Sequence, residues 1–308
     1  MAISSLPQLD RVFLTDAGLE TDILFNKGID LPLFSSVTLF TSDEGVDVLE
    51  AYYRGFLDLA RAKGTGLILE SATWRASPDW ADPLGFSLAE LDGLNGAAIE
   101  LLRGLRAEYT DVPIVISGCL GPRGDGYDPG KIMLADEAQA YHAHQAGVLA
   151  AAGVDMLAAI TMTNVPEAVG VANAAKALGL PVAISFTVET DGRLPTGDAL
   201  GDAIEAVDAA TGSYPAYYMI NCAHPTHFDA VLDDGAGWTP RIGGVRANAS
   251  CLSHAELDVM TELDIGDPAD LAARHRALVE RFPQIKVLGG CCGTDLRHVT
   301  AIAEACVT

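Results

Sequence analysis

The sequence predicts a single (β/α)8 barrel, and two observations carry that expectation. Eight short apolar runs, each closing on glycine, polar residues or both, recur along the 308 residues, with stretches of helical spacing between them. The size also fits, because such a barrel fills about 250 residues or more as one unit, whereas a doubly wound sheet usually has fewer strands and an early phosphate-binding glycine loop.

In order, the runs are 12–18 (VFLTDAG), 66–73 (GLILESAT), 114–122 (IVISGCLGP), 156–162 (MLAAITM), 181–188 (PVAISFTV), 217–223 (YYMINCA), 241–249 (RIGGVRANA) and 285–294 (IKVLGGCCGT). They are mostly apolar on both alternating faces, as parallel strands with helices outside and a barrel interior inside require. Between them, Ser87 and Glu90 have the spacing of a capping box ahead of Leu91, Ala98, Leu102 and Leu105. Leu134, Ala138, Tyr141, Val148 and Ala152 form a second helical stripe, and Leu200, Ile204 and Val207 a third. Glycine- and proline-rich patches at 118–130 and 191–198 directly follow strands, which on a barrel makes them loops of the active-site face rather than linkers. The chain, 1–308, is therefore read as one domain.

Composition narrows the function. The apolar fraction is 49%, too high for a disordered chain, and 19 basic against 42 acidic residues leave a formal charge of −23. That charge repels phosphate backbones and anionic lipid, so nucleic acid and membrane surfaces are excluded as partners. The apolar run Val148 to Met162 is broken by Asp155 and is too short for the roughly 20 residues of a membrane span. The opening MAISSLPQLDRVF lacks the basic, apolar and small-residue pattern of a secretory signal, and the expected location is the cytoplasm.

Six cysteines are too few for a disulfide scaffold, and a reducing compartment favours free thiols, metal ligands or catalytic groups. Cys291 and Cys292 are adjacent and poorly placed to bridge each other across a planar trans peptide. Cys222 closes the sixth predicted strand and this pair closes the eighth, so a barrel brings the three thiols to one rim. Thiolates are soft ligands suited to Zn²⁺, and three protein ligands leave a fourth tetrahedral position for water or substrate. Gly289, Gly290 and Gly293 give the backbone freedom to aim two consecutive residues at one ion. On spacing alone, Cys222 could instead be a buried small apolar residue and the Cys291–Cys292 pair incidental.

The strings NCAHP at 221–225 and GGCCGT at 289–294 resemble the two zinc-binding motifs of the homocysteine S-methyltransferase family. Further matches run in order along nearly the whole chain: LTDAGLETDILFNKGIDLP, LESATWRAS at 69–77, SGCLGP at 117–122 and SFTVETDGRLPTGD at 185–198. The resemblance implies a barrel in which Cys222, Cys291 and Cys292 hold zinc, which keeps homocysteine's sulfur as a thiolate for in-line attack on a small-molecule methyl donor, giving methionine. A free alkyl thiol is mostly protonated at neutral pH, whereas a coordinated one is deprotonated. By the same resemblance Asp16 helps receive the acceptor's amino group. Glu70, Thr73 and Asn221 match substrate-facing segments. One position departs: where many members carry Glu-Thr at the end of the fourth strand, this chain has Ile160-Thr161, and isoleucine cannot supply the glutamate's charge. A different small thiol as acceptor, or a non-catalytic zinc-storage or redox-sensing protein, therefore stand as alternatives.

Other residues read more plainly. His142 and His144 would point about 200° apart on a helix, and are expected to be surface histidines. His224 and His227, at i, i+3 spacing just after Cys222, could supply an alternative ligand or, as is more common, cap or pack a loop; Trp74 and Trp80 are expected to wall a methyl donor or pack their own loop, and Cys119, Cys251 and Cys306 to be free thiols.

Overall fold

A computed structural model describes residues 6–233 and 235–307. Eight parallel strands close into a barrel in chain order: β1 Phe13–Leu14, β2 Gly66–Glu70, β3 Ile114–Leu120, β4 Met156–Met162, β5 Val182–Phe186, β6 Tyr217–Asn221, β7 Ile242–Ala247 and β8 Val287–Gly290. Closure is made by β1, whose Phe13 lies opposite Gly66 of β2 on one side and Val287 of β8 on the other. Each strand is followed by a helix: α1 Asp43–Lys63, α2 Leu88–Glu108, α3 Ala135–Ala152, α4 Val165–Leu178, α5 Leu200–Thr211, the single turn α6 Pro225–Phe228, α7 Pro268–Arg281 and α8 Leu296–Cys306. All eight apolar runs are strands, and the Ser87–Glu90 capping box opens α2.

The alternation within strands builds two cores. Phe13, Ile68, Val115, Met156, Ala158, Tyr217, Met219 and Val287 pack together inside the barrel. Their neighbours in sequence, such as Leu14, Leu69, Ile116, Leu157 and Leu288, pack outward against the helices. Among the described residues no helix is long and apolar enough to cross a membrane.

Helix α3 corrects two expectations. Leu134 is its exposed N-cap, and the buried face is Ala138, His142, Gln145, Ala146 and Leu149 rather than the stripe through Tyr141, Val148 and Ala152. His142 is fully buried, not on the surface, with Nε2 2.8 Å from Glu167 Oε1 of α4. The same carboxylate accepts from the Arg123 amide at 2.6 Å and from Asn164 Nδ2 at 3.2 Å. Satisfied in this way, a polar pair can occupy an interface that apolar periodicity alone would assign elsewhere. His144, on the opposite side of α3, is exposed and meets Asp92 at 2.8 Å.

Candidate active site

The three cysteines meet because β7 runs between the strands that carry them. The Cys222 amide donates to Arg246 O at 3.2 Å, and the Cys291 amide to Ala247 O at 2.8 Å, so consecutive β7 carbonyls seat both turns. Cys222 sits at φ +50°, a left-handed conformation costly for a non-glycine residue, and such strain gathers where the surroundings over-determine a functional side chain. Thr161, at the bulge of β4, is a second such residue at φ +66°. Asn221 clamps it, accepting from the Thr161 amide at 3.0 Å and donating to Thr161 Oγ1 at 2.7 Å.

The ligand atoms of Cys222, Cys291 and Cys292 all lie within 4.8 Å of one another. Cys222 Sγ is 3.8 Å from Cys292 Sγ, and Cys222 and Cys291 are joined as a disulfide, which departs from the expectation of three free thiols. A disulfide offers no thiolate, so reduction must precede metal binding. Reduced, the donor set is three soft sulfurs, the chemistry that suits zinc. Tyr127 donates to Cys292 Sγ at 3.5 Å and stacks on His254 with ring centroids 3.9 Å apart. His254 Nε2 in turn lies 2.7 Å from Cys222 O. Burial pushes the Cys292 thiol up from its ordinary range. Cys119, Cys251 and Cys306 are free thiols.

Arg246, on β7, is the main feature that pattern reading passed over. Its Nη2 lies 2.5 Å from Asp16 Oδ1 and its Nη1 3.1 Å from Glu70 Oε2, and all three side chains are buried. Asp16 Oδ2 also accepts from Tyr52 at 3.4 Å. Burial raises Asp16 and pushes Glu70 up to about 7, against the pull of Arg246. No motif marked Arg246, since it lies at the end of an apolar run whose other members are core.

A cavity of about 460 Å³ opens above the cysteines and is lined by Asp16, Glu70, Ile160, Thr161 and the three thiols, with Phe25, Phe34, Trp74 and Tyr127 as aromatic walls. Trp74 donates to Ile160 O at 3.0 Å. Trp80 does not line this cavity but packs under the Arg75 guanidinium, 4.8 Å from its ring centroid. Thr73 lies behind the wall, fully buried, and donates to Cys119 O at 2.8 Å. Asn221 is likewise fully buried, 3.7 Å from Cys291 Sγ through Nδ2, so its side chain supports a cysteine instead of lining the cavity. Of the two glycine-rich loops, 118–130 contributes Cys119, Asp125, Gly126 and Tyr127, whereas 191–198 contributes nothing and folds back through an Arg193–Ala199 bridge. His224 caps α6, and His227 meets Cys251 O at 2.9 Å, as loop-packing residues do. Glu20, in the helical turn Leu19–Thr21, also faces this cavity, and no motif in the sequence marks it.

A barrel with three converging thiols at the carboxyl ends of its strands has the donor set of a thiol-ligated metal site. The family model for homocysteine S-methyltransferase matches residues 13–306, and the chain belongs to that family of methyltransferases. A selenocysteine Se-methyltransferase of Brassica oleracea var. italica is 24% identical over 96% of this chain and 89% of its own length. Homocysteine S-methyltransferase 1 of Arabidopsis thaliana is 23% identical over 94% of this chain and 92% of its own. The homocysteine methyltransferase MmuM of Escherichia coli has the same fold: its oxidized form superposes with a TM-score of 0.75 at 23% identity, covering 95% of each chain. Its metallated form gives 0.75 at 22% identity, covering 98% of this chain and 99% of that one.

Proposed function

We propose that this chain is a cytoplasmic enzyme that methylates the thiol of homocysteine, giving methionine, from a small-molecule donor, with zinc held by Cys222, Cys291 and Cys292. The observation that carries the reading is the convergence of those three sulfurs within 4.8 Å at the floor of a cavity large enough for two small molecules. Bound there, zinc would supply the Lewis acidity that keeps an acceptor thiol deprotonated at neutral pH. The chain's own residues do the rest. Asn221 and Tyr127 direct N–H and O–H groups at Cys291 and Cys292, which orients the sulfurs and tempers their charge. Trp74, Phe25, Phe34 and Tyr127 supply an aromatic wall suited to a cationic methyl donor. The Arg246 pairings hold the buried Asp16 and Glu70 at the strand ends, which fixes that part of the cavity lining before a substrate arrives.

The test is a methyl-transfer screen of the reduced, zinc-loaded protein, crossing several thiols with sulfonium and quaternary-ammonium donors and detecting product by mass. Methionine from homocysteine is the expected product. Methylation confined to another thiol would move the assignment to that acceptor, and no methylation with full zinc content would favour storage or redox sensing.

A further inference from the structure

Besides Asp264, bonded to Ser250, and the exposed Asp125, Asp258 and Glu262, three carboxylates line the cavity, and they are not equivalent. Both oxygens of Asp16 are taken, one by Arg246 and one by Tyr52. Glu70 Oε2 accepts from Arg246, and its unpartnered Oε1 is sealed from solvent. Glu20 is different: half-buried on the cavity wall, it is anchored through Oε1 by the Ser36 hydroxyl at 2.7 Å, and among the described residues no Lys, Arg or His forms an ion pair with it. Its backbone turn abuts the cysteines. The Gly293 amide donates to Thr21 Oγ1 at 3.1 Å, and a Cβ on Gly18 would come within 2.4 Å of Cys291 O.

A cation also lines this cavity. Arg75 lies over the rings of Phe34, Trp74 and Trp80, gives Nη1 to Leu33 O at 2.7 Å, and meets Asp125 at 3.2 Å. Asp125 is 53% exposed, and an exposed pair of this kind is worth little, so another carboxylate can take its place. Glu20 and Arg75 thus present opposite charges to one cavity without pairing with each other. Resting on the methyltransferase reading, we infer that Glu20 and Arg75 receive the ammonium and the carboxylate of an α-amino acid head group, while its thiol reaches the cysteine cluster. Ile160 brings no charge to the cavity wall, whereas Glu20 stands half-buried on it, on the turn that abuts the cysteines. Burial and the nearby Asp16 charge raise Glu20, a cost that an arriving ammonium relieves.

The experiment is calorimetric binding to the reduced, zinc-loaded protein, which needs no turnover. Three probes are compared: homocysteine, its deamino analogue mercaptobutanoate and its decarboxy analogue aminopropanethiol. Wild type should prefer homocysteine to both. Glu20→Gln, isosteric and outside the metal ligands, should lower the preference over mercaptobutanoate about tenfold or more, as loss of a hydrogen bond to a charged group does, and Glu20→Asp should restore part of it. Arg75→Gln should lower only the preference over aminopropanethiol. An amine preference that survives in Glu20→Gln overturns the inference, as does a wild type indifferent to the amino group. Indifference accompanied by methylation of some thiol leaves the methyltransferase reading standing. Failure of all three thiols to bind removes both.

Discussion

Arg246 is the residue on which the acids of the site depend. Removing one partner of a buried ion pair leaves the other charge uncompensated and costs about 3–5 kcal/mol. Arg246→Met should therefore lower the unfolding free energy by about that amount in urea titrations, because it orphans Asp16 and Glu70 together. A loss below about 1 kcal/mol would mean that those carboxylates are not charged and paired in the folded protein. Glu70 adds a pH signature. Its carboxyl is pushed up from 4.5 to about 7, so between those values the folded chain keeps a proton that the unfolded chain has lost. Its contribution is fully present below about 4.5 and declines as pH rises through about 7. Melting temperatures of wild type should accordingly fall across that interval relative to Glu70→Gln. The opposite slope would refute the assignment. None of this was legible in the sequence, since pairing across the barrel depends on which strand ends face each other.

At the scale of elements, the strands were legible because a closed parallel barrel makes every run apolar on both faces, and Phe13 with Leu14 shows both cores being served within two residues. Helix α3 was misread for the converse reason: alanine-rich helices bury a face without an apolar stripe, and His142 with Glu167 satisfy each other there. The turn after β1 and the turn after β8 behave as one unit. A Cβ on Gly18 would meet Cys291 O at 2.4 Å and Thr21 Oγ1 at 2.5 Å, so the cysteine turn must shift to admit it. Gly18→Ala should reduce zinc content and stability together, measured by metal analysis and thermal melting. Gly93→Ala on α2 is the contrast, since a Cβ there meets nothing within 4 Å, and it should be neutral or stabilising by about 0.4–1 kcal/mol. Equal behaviour of the two variants would separate the Gly18 turn from the metal site.

For the whole molecule, the three cysteines were legible because topology alone carries Cys222, 69 residues from Cys291, to the same rim. Tyr127, His254 and Arg246 were not, because each meets a partner distant in sequence, and Glu20 was not, because nothing in its local sequence shows that it faces the cavity. The large negative charge of the chain, −23, favours approach of cationic small molecules and repels nucleic acid. In the proposed mechanism the cysteine cluster holds zinc with one position open for the acceptor's sulfur. Zinc-edge X-ray absorption on the reduced, zinc-loaded protein tests it most directly. The expected first shell is three sulfurs, from Cys222, Cys291 and Cys292, plus one light atom, changing to four sulfurs when homocysteine is added. A shell that already holds four protein ligands, or one that homocysteine leaves unchanged, would rule out zinc activation of the acceptor thiol at this cluster.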